Sequence, residues 1–325
     1  MSVITIPMIS INKKASELVK RFCTRPEAYR VIVEKTKTGT TVIDAGVDSI
    51  GGLEAGLLTT EICMGGLGKV QLMLKPYGDI ELLSVFVYTD HPATATLGSQ
   101  FAGWQIKKDG FFAIGSGPAR ALAMKPRDIY EKIRYRDEAD VAVLVLETAK
   151  QPPTSLIQEF CSECHVDPSN LYIVLTPTTS IAGSIQISGR IVETGVHKLL
   201  KLGIDPLSLR QGWGSAPIAP AHPKFSDAMG RTNDVILYGG TATYTIEYED
   251  DERLETLLQK APSSSSGQYG RPFKEIFKEA DYDFYQIDPN LFAPAELTVN
   301  NIKTGSIFHV GKTNVNVLKQ ALDLT

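Results

Sequence analysis

Arg190 and Glu193 lie three residues apart in the stretch Ser180 to Leu202, whose apolar positions Ile185, Val192, Val196, Leu199 and Leu200 recur near the helical period. On one helix their side chains share a face and can pair beside the apolar stripe. Spacing alone favours a solvated surface bridge, worth roughly 0 to 1 kcal/mol. A second chemical candidate is Gly115-Ser116-Gly117-Pro118-Ala119-Arg120, which follows the apolar run Phe111 to Ile114. It shares its first two glycines with a dinucleotide fingerprint, but its sixth position is Arg and Pro118 has no backbone donor, so a Rossmann site loses its support. What remains is a glycine turn opening a helix, able to receive an anion or a carbonyl oxygen, or serving packing alone. Cys161-Ser162-Glu163-Cys164-His165 could be half a zinc site or a redox dithiol, yet no second CxxC or spaced His pair completes it, and it reads as thiols on a helix end. His222, in Ala221-His222-Pro223, has no nucleophile to serve. P-loop, HExxH and GxSxG signatures are missing.

The elements that must position these residues come from a chain of 325 residues, 43% hydrophobic, long enough for about two domains at roughly 150 residues each. Net charge is −4, from 33 basic and 37 acidic residues, which disfavours nucleic acid and anionic membranes as partners. The N-terminus reads as lacking a secretory leader and no run of about 18 apolar residues occurs, so a cytoplasmic protein with reduced thiols is expected. Helical spacing from Ile9 to Val33 is interrupted at Pro26; a strand is expected over 40–46, a helix over 51–63, and a hairpin from Val70–Leu74 and Leu82–Thr89 around Pro76-Tyr77-Gly78-Asp79. Asp140–Glu147 and Leu171–Leu175 read as buried strands, and Ser180 as the cap of one long helix through Leu202. Asp234–Gly239 and Ala242–Tyr248 read as paired strands, Asp250–Lys260 as a surface helix, Pro262–Gly267 as a boundary loop, Leu297–Ile302 and Ser306–Val310 as a hairpin, and Val315–Leu322 as a helix. Hairpins and helices without sustained alternation predict an α+β protein: two α+β domains facing each other across a substrate cleft. We place the domains at 1–110 plus 265–325 and at 111–264, the second carrying the Arg190/Glu193 helix.

The stretch from Thr179 to Glu193, TSIAGSIQISGRIVE, resembles the signature helix of the methenyltetrahydromethanopterin cyclohydrolases. Further blocks similar to that family appear in order: EICMGGLG at 61–68, LGSQFAGW at 97–104, FFAIGSGPARAL at 111–122, APIAP at 216–220, AMGRTND at 228–234, and DYDFY at 281–285 with FAPAE at 292–296. The resemblance implies reversible hydrolysis of 5,10-methenyltetrahydromethanopterin to the 5-formyl derivative, with no redox cofactor and no required metal, in a homotrimer. It assigns Glu193 as the acid-base carboxylate and Arg190 as its partner, the guanidinium favouring ionisation and burial opposing it. Around them it implies substrate contacts from Gly115, Ser116, Gly117 and Gln186, and from Asn233 with its neighbours Thr232 and Asp234; Arg120, Arg231 and Lys198 are candidates for the anionic tail. Asn233-Asp234 serves equally as a turn entering a strand. Three other readings stay open: a noncatalytic pterin- or nucleotide-binding module, a trimeric scaffold, and a tetrahydrofolate enzyme of the same fold.

Overall fold

The computed structural model describes residues 9–324. Residues 1–8, part of the stretch read as lacking a leader, and residue 325 lie outside the described residues, as does the side chain of Tyr285 in the 281–285 block.

Two six-stranded sheets organise the chain. The first runs in spatial order β1 (Ile32–Lys35), β2 (Thr41–Asp44), β8 (Leu171–Leu175), β7 (Ala142–Glu147), β6 (Phe111–Ser116), β5 (Trp104–Lys108). Its centre, β2–β8–β7, is parallel, and both flanks are antiparallel. The near-continuous apolar runs of β7 and β8 follow from burial on both faces, since parallel strands are covered by their crossover helices. The second runs β12 (Ile307–Gly311), β11 (Glu296–Asn301), β10 (Thr241–Ile246), β9 (Leu209–Pro217), β4 (Ile80–Thr89), β3 (Gly68–Tyr77), antiparallel except for β10 with β11. Twelve α-helices accompany them among the described residues: α1 (Ile11–Thr24), α2 (Pro26–Tyr29), α3 (Leu53–Cys63), α4 (Ala119–Ala123), α5 (Arg127–Ile133), α6 (Thr154–Cys164), α7 (Ile181–Ser188), α8 (Ile191–Lys201), α9 (Phe225–Gly239), α10 (Asp251–Leu258), α11 (Phe273–Glu279) and α12 (Val315–Ala321). The mixed α/β class with two sheets agrees with two α+β units. The sheets cross the expected domain limits, however: β1, β2 and β5 join β6–β8, while β3 and β4 join β9–β12.

Three expectations are corrected. The helix expected over 180–202 is two helices, broken at Gly189–Arg190. The strand expected over Asp234–Gly239 is the second half of α9, in which residues 234–239 are all buried. A short apolar run that ends at a glycine pair carries no periodicity that separates a strand from a helix enclosed on all sides. Finally, β3 continues through Pro76 and Tyr77, leaving a two-residue turn at Gly78–Asp79. Proline is tolerated there because β3 is an edge strand. The serine-rich segment is packed, not a tether: Ser263 is buried and its hydroxyl donates to the Leu237 carbonyl at 2.6 Å.

Candidate active site

Ser180 caps α7, its hydroxyl accepting the Gly183 N–H at 2.9 Å. α7 ends where it crosses α3: a Cβ on Gly189 would lie 2.4 Å from Thr60 Cγ2, so a side chain at this crossing would force Thr60 to shift. Arg190, at φ −81° and ψ 3°, is the N-cap of α8, its carbonyl accepting the Thr194 N–H at 2.8 Å. The break therefore places Glu193 in the first turn of a new helix, where exposed N–H groups and the dipole favour negative charge.

A π-helix over Ala93–Gln100 faces this junction. Backbone carbonyls at a helix C-terminus lack intrahelical partners, and four successive ones here are taken by side chains or by the glycine turn. Arg120 Nη1 donates to Leu97 O at 3.2 Å and Ser99 O at 3.0 Å, the Tyr130 hydroxyl to Gly98 O at 2.9 Å, and Arg190 Nη1 to Gln100 O at 2.6 Å. Gln100 Nε2 donates to Gly189 O at 3.0 Å, fastening the break to the same helix end. Two guanidiniums are thus gathered by one run of carbonyl dipoles. Arg120 is wholly buried, lies 5.3 Å from the Phe101 ring and 5.6 Å from the Tyr130 ring, and among the described residues leaves Nη2 without a hydrogen-bond partner.

Glu193 Oε2 is 3.9 Å from Arg190 Nη1, and the two side chains keep only 9% and 10% exposure, enough to connect them to solvent without dispersing their charge. Burial pushes Glu193 up to about 7, against the downward pull of Arg190 and then Arg120. Tyr244, buried under α8, donates its hydroxyl to Val192 O at 2.8 Å, and Gly195 makes room for that ring. His197, one turn beyond Glu193, packs on Phe101 at 4.9 Å; burial lowers it to about 4, so it stays neutral. A carboxyl group balanced near neutrality and oriented by a guanidinium can take a proton from water and return it to a leaving atom.

Gln186 belongs to this group: its side-chain oxygen accepts from Arg190 Nη2 at 3.3 Å. Ser116 lies 3.7 Å from the Cys63 thiol, which burial raises and the charge of Arg190 lowers. Gly115 is in β6, paired with Trp104 and Leu146. The Gly117 N–H is spent on Ser99 O at 2.9 Å, and α4, which the turn opens, carries Arg120 into the interior. Other candidates are engaged elsewhere. Arg231 pairs with Asp323 at 2.6 Å, Asn233 donates to Met229 O at 2.8 Å, and the Thr232 hydroxyl donates to Ala228 O at 2.9 Å. Asp234 accepts the Phe273 N–H at 2.8 Å, and the buried Lys198 donates to Asn290 Oδ1 at 2.9 Å. His222 caps its own loop, accepting the Lys224 N–H at 3.1 Å. A surface depression lined by Cys161, His165, Asp167 and Asn170 contains none of the Glu193 cluster, and burial raises both of its neighbouring thiols, Cys161 and Cys164. Sequence reasoning missed the π-helix with Gln100 and misjudged Arg120's surroundings; the block 97–104 was the signal available.

A sequence profile of the family described as Cyclohydrolase (MCH) matches residues 10–322. Among curated relatives, the methenyltetrahydromethanopterin cyclohydrolase of Methanothermobacter marburgensis is 46% identical over 322 residues, 98% of this chain and 100% of the relative. The enzyme of the same name from Methanocaldococcus jannaschii is 46% identical over 321 residues, covering 98% and 99%. That of Methanococcoides burtonii is 40% identical over 317 residues, covering 98% and 99%.

Proposed function

The chain belongs to the cyclohydrolase (MCH) family, and from that premise we propose that it reversibly hydrolyses 5,10-methenyltetrahydromethanopterin to the 5-formyl derivative. The observation that carries this reading is Glu193, a sealed carboxyl group held near neutrality beside Arg190. The substrate brings its own electrophile, an amidinium carbon between N5 and N10, so the reading needs neither a redox cofactor nor a metal. Water loses one proton to Glu193 as its oxygen bonds to that carbon. When the tetrahedral intermediate collapses, the bond from the carbon to N10 breaks and the proton passes from Glu193 to N10. The remaining hydroxyl proton is released, leaving a neutral formyl group on N5. Arg190, fixed by Gln100 O and Gln186, orients Glu193 and faces the oxygen of the intermediate. The small shared exposure of Arg190 and Glu193 supports substrate entry above them, along a cleft between the two units.

The reading extends to a cytoplasmic homotrimer in one-carbon metabolism of the methanogenic type. Among the described residues no helix is long and apolar enough to cross a membrane. The outer face of the second sheet, where Tyr88 and Trp213 are register partners 40% and 37% exposed, supports subunit packing; light scattering in solution tests it.

The deciding assay follows loss of the methenyl absorbance with methenyltetrahydromethanopterin and, in parallel, methenyltetrahydrofolate. We expect rapid hydrolysis of the first, reduced at least roughly 100-fold by Glu193→Gln in a normally folded variant. Turnover of both substrates at the buffer rate would sink the cyclohydrolase reading in favour of a binding module, and preference for the second would reassign the carrier.

A further inference from the structure

Glu147 is a carboxylate without an assigned task. It closes β7 at the carboxyl end of the parallel strands, the edge at which open α/β sheets place their ligands. Register puts Glu147 opposite Ile114 of β6, while Leu146 pairs with Leu175 of β8, so Thr176 stands beside Glu147. Alternation along β7 turns Glu147 to the same face as Val143 and Val145, which pack with Ile62 and Cys63 of α3 and Ala182 of α7. That is the face on which Arg190 lies, and Cys63, in contact with Ser116, feels the charge of both Arg190 and Glu147.

Two observations suggest that Glu147 faces a ligand. It is half-buried, yet among the described residues it has no ion-pair partner; the Thr178 hydroxyl is its one hydrogen-bond donor. A carboxylate offers about four lone-pair sites, so most of its accepting capacity is open. Beside it, the Thr176 hydroxyl is fully buried and has no partner among the described residues. A half-buried acceptor of this kind suits a ligand that brings a fork of N–H donors, as arginine does to carboxylates.

We propose that Glu147 determines specificity by reading the 2-amino-4-oxo-pyrimidine edge of the carrier: its two oxygens accept the ring N3–H and the adjacent 2-amino group. The edge is a planar, guanidine-like pair of donors, and the half-buried Ile114 gives its ring an apolar neighbour. Thr178 holds the carboxylate in orientation. The inference rests on the pterin reading of this site, and places the ring on the side of Arg190 away from α8.

The test uses the full chain with two fragments that differ only at that edge: 6-methylpterin, and 6-methyllumazine, in which a carbonyl replaces the amino group. Binding is followed by fragment fluorescence, and the KM for the methenyl substrate is measured alongside. Wild type should prefer the pterin by roughly 10- to 100-fold, the range expected for hydrogen bonds to a charged acceptor. Glu147→Gln should abolish that preference and raise KM by a similar factor, leaving kcat and its pH profile, which belong to Glu193, in place. Thr178→Val should do the same to a smaller degree, and Glu147→Asp serves if the Gln variant misfolds by circular dichroism. Equal affinity of wild type for the two fragments, or an unchanged preference and KM in Glu147→Gln, overturns the proposal even if hydrolysis is rapid. Absence of hydrolysis in wild type defeats the cyclohydrolase reading instead, and fragment discrimination still decides the role of Glu147.

Discussion

Glu193 at the start of α8 and Asp234 in the middle of α9 are carboxyl groups sealed to a similar degree, 6% and 1% exposed, and burial pushes both upward. Asp234 accepts one backbone N–H, from Phe273, and among the described residues the charge that acts on it is Glu275, which pushes the same way as burial. Burial holds it well above its ordinary value, and it ties the start of α11 to α9. Glu193 faces two guanidiniums and stops at about 7. Burial makes either acid reluctant to ionise; the cations return one of them to the range where gaining and losing a proton both come easily. The difference originates in the π-helix end, whose carbonyls hold Arg120 and Arg190 beside one carboxyl and provide nothing to the other.

Removing those cations should erase the contrast. Arg190→Met takes away the nearer charge, so the ascending limb of kcat/KM for hydrolysis should move from about 7 to higher pH, and activity at neutral pH should fall by roughly 10- to 100-fold. An unmoved limb would show that Arg190 does not tune Glu193. Arg120→Met should displace the limb in the same direction by less, since Arg120 exerts the smaller pull. It also strands the carbonyls of Leu97 and Lys125, at a cost of roughly 1 to 3 kcal/mol for an unmet group, measurable by urea unfolding. Arg120→Lys keeps the charge and should restore the pH profile before it restores stability. Smaller again is Gly189→Ala: the new methyl group meets Thr60, and overpacking of this kind costs roughly 1 to 3 kcal/mol. An unchanged unfolding midpoint would mean that the α3 crossing does not enforce the helix break.

How much of this was readable in advance differed by element. The β3–β4 and β11–β12 hairpins and α12 announce themselves through periodicity and turn residues, because each has one buried and one wet face. α9 does not: with residues 234–239 all buried, Val235-Ile236-Leu237-Tyr238 has no polar face to betray its period. Arg190 and Glu193 were legible as a pair, but the apolar pattern runs across Gly189 and concealed the break that puts Glu193 at a helix start. From sequence Arg120 is only a weaker candidate for a tail contact, since most arginines are simply solvated. Its burial depends on the carbonyls of a π-helix more than twenty positions earlier, a dependence that local spacing does not encode.

Asp234→Asn tests the other half of the comparison, and its expected effect on activity is the smallest. Asn keeps a side-chain oxygen for the Phe273 N–H but cannot ionise. Below the unfolded carboxyl value of about 3.9, Asp234 is protonated in both the folded and unfolded chain, and its raised native value costs nothing. As pH rises past that point the unfolded chain gains an ionised aspartate while the native one keeps its proton, so stability drains away until the native value is passed. The variant escapes this loss. Its melting temperature should match wild type near pH 4 and gain on it as pH rises, until the native value is passed, with kcat/KM within about twofold throughout. A gap that does not change with pH would mean that Asp234 is already ionised in the fold, and a collapse of activity would make the α9 carboxyl part of the catalytic machinery. Either result would break the distinction between a buried acid that only holds structure and one that two arginines have made available for chemistry.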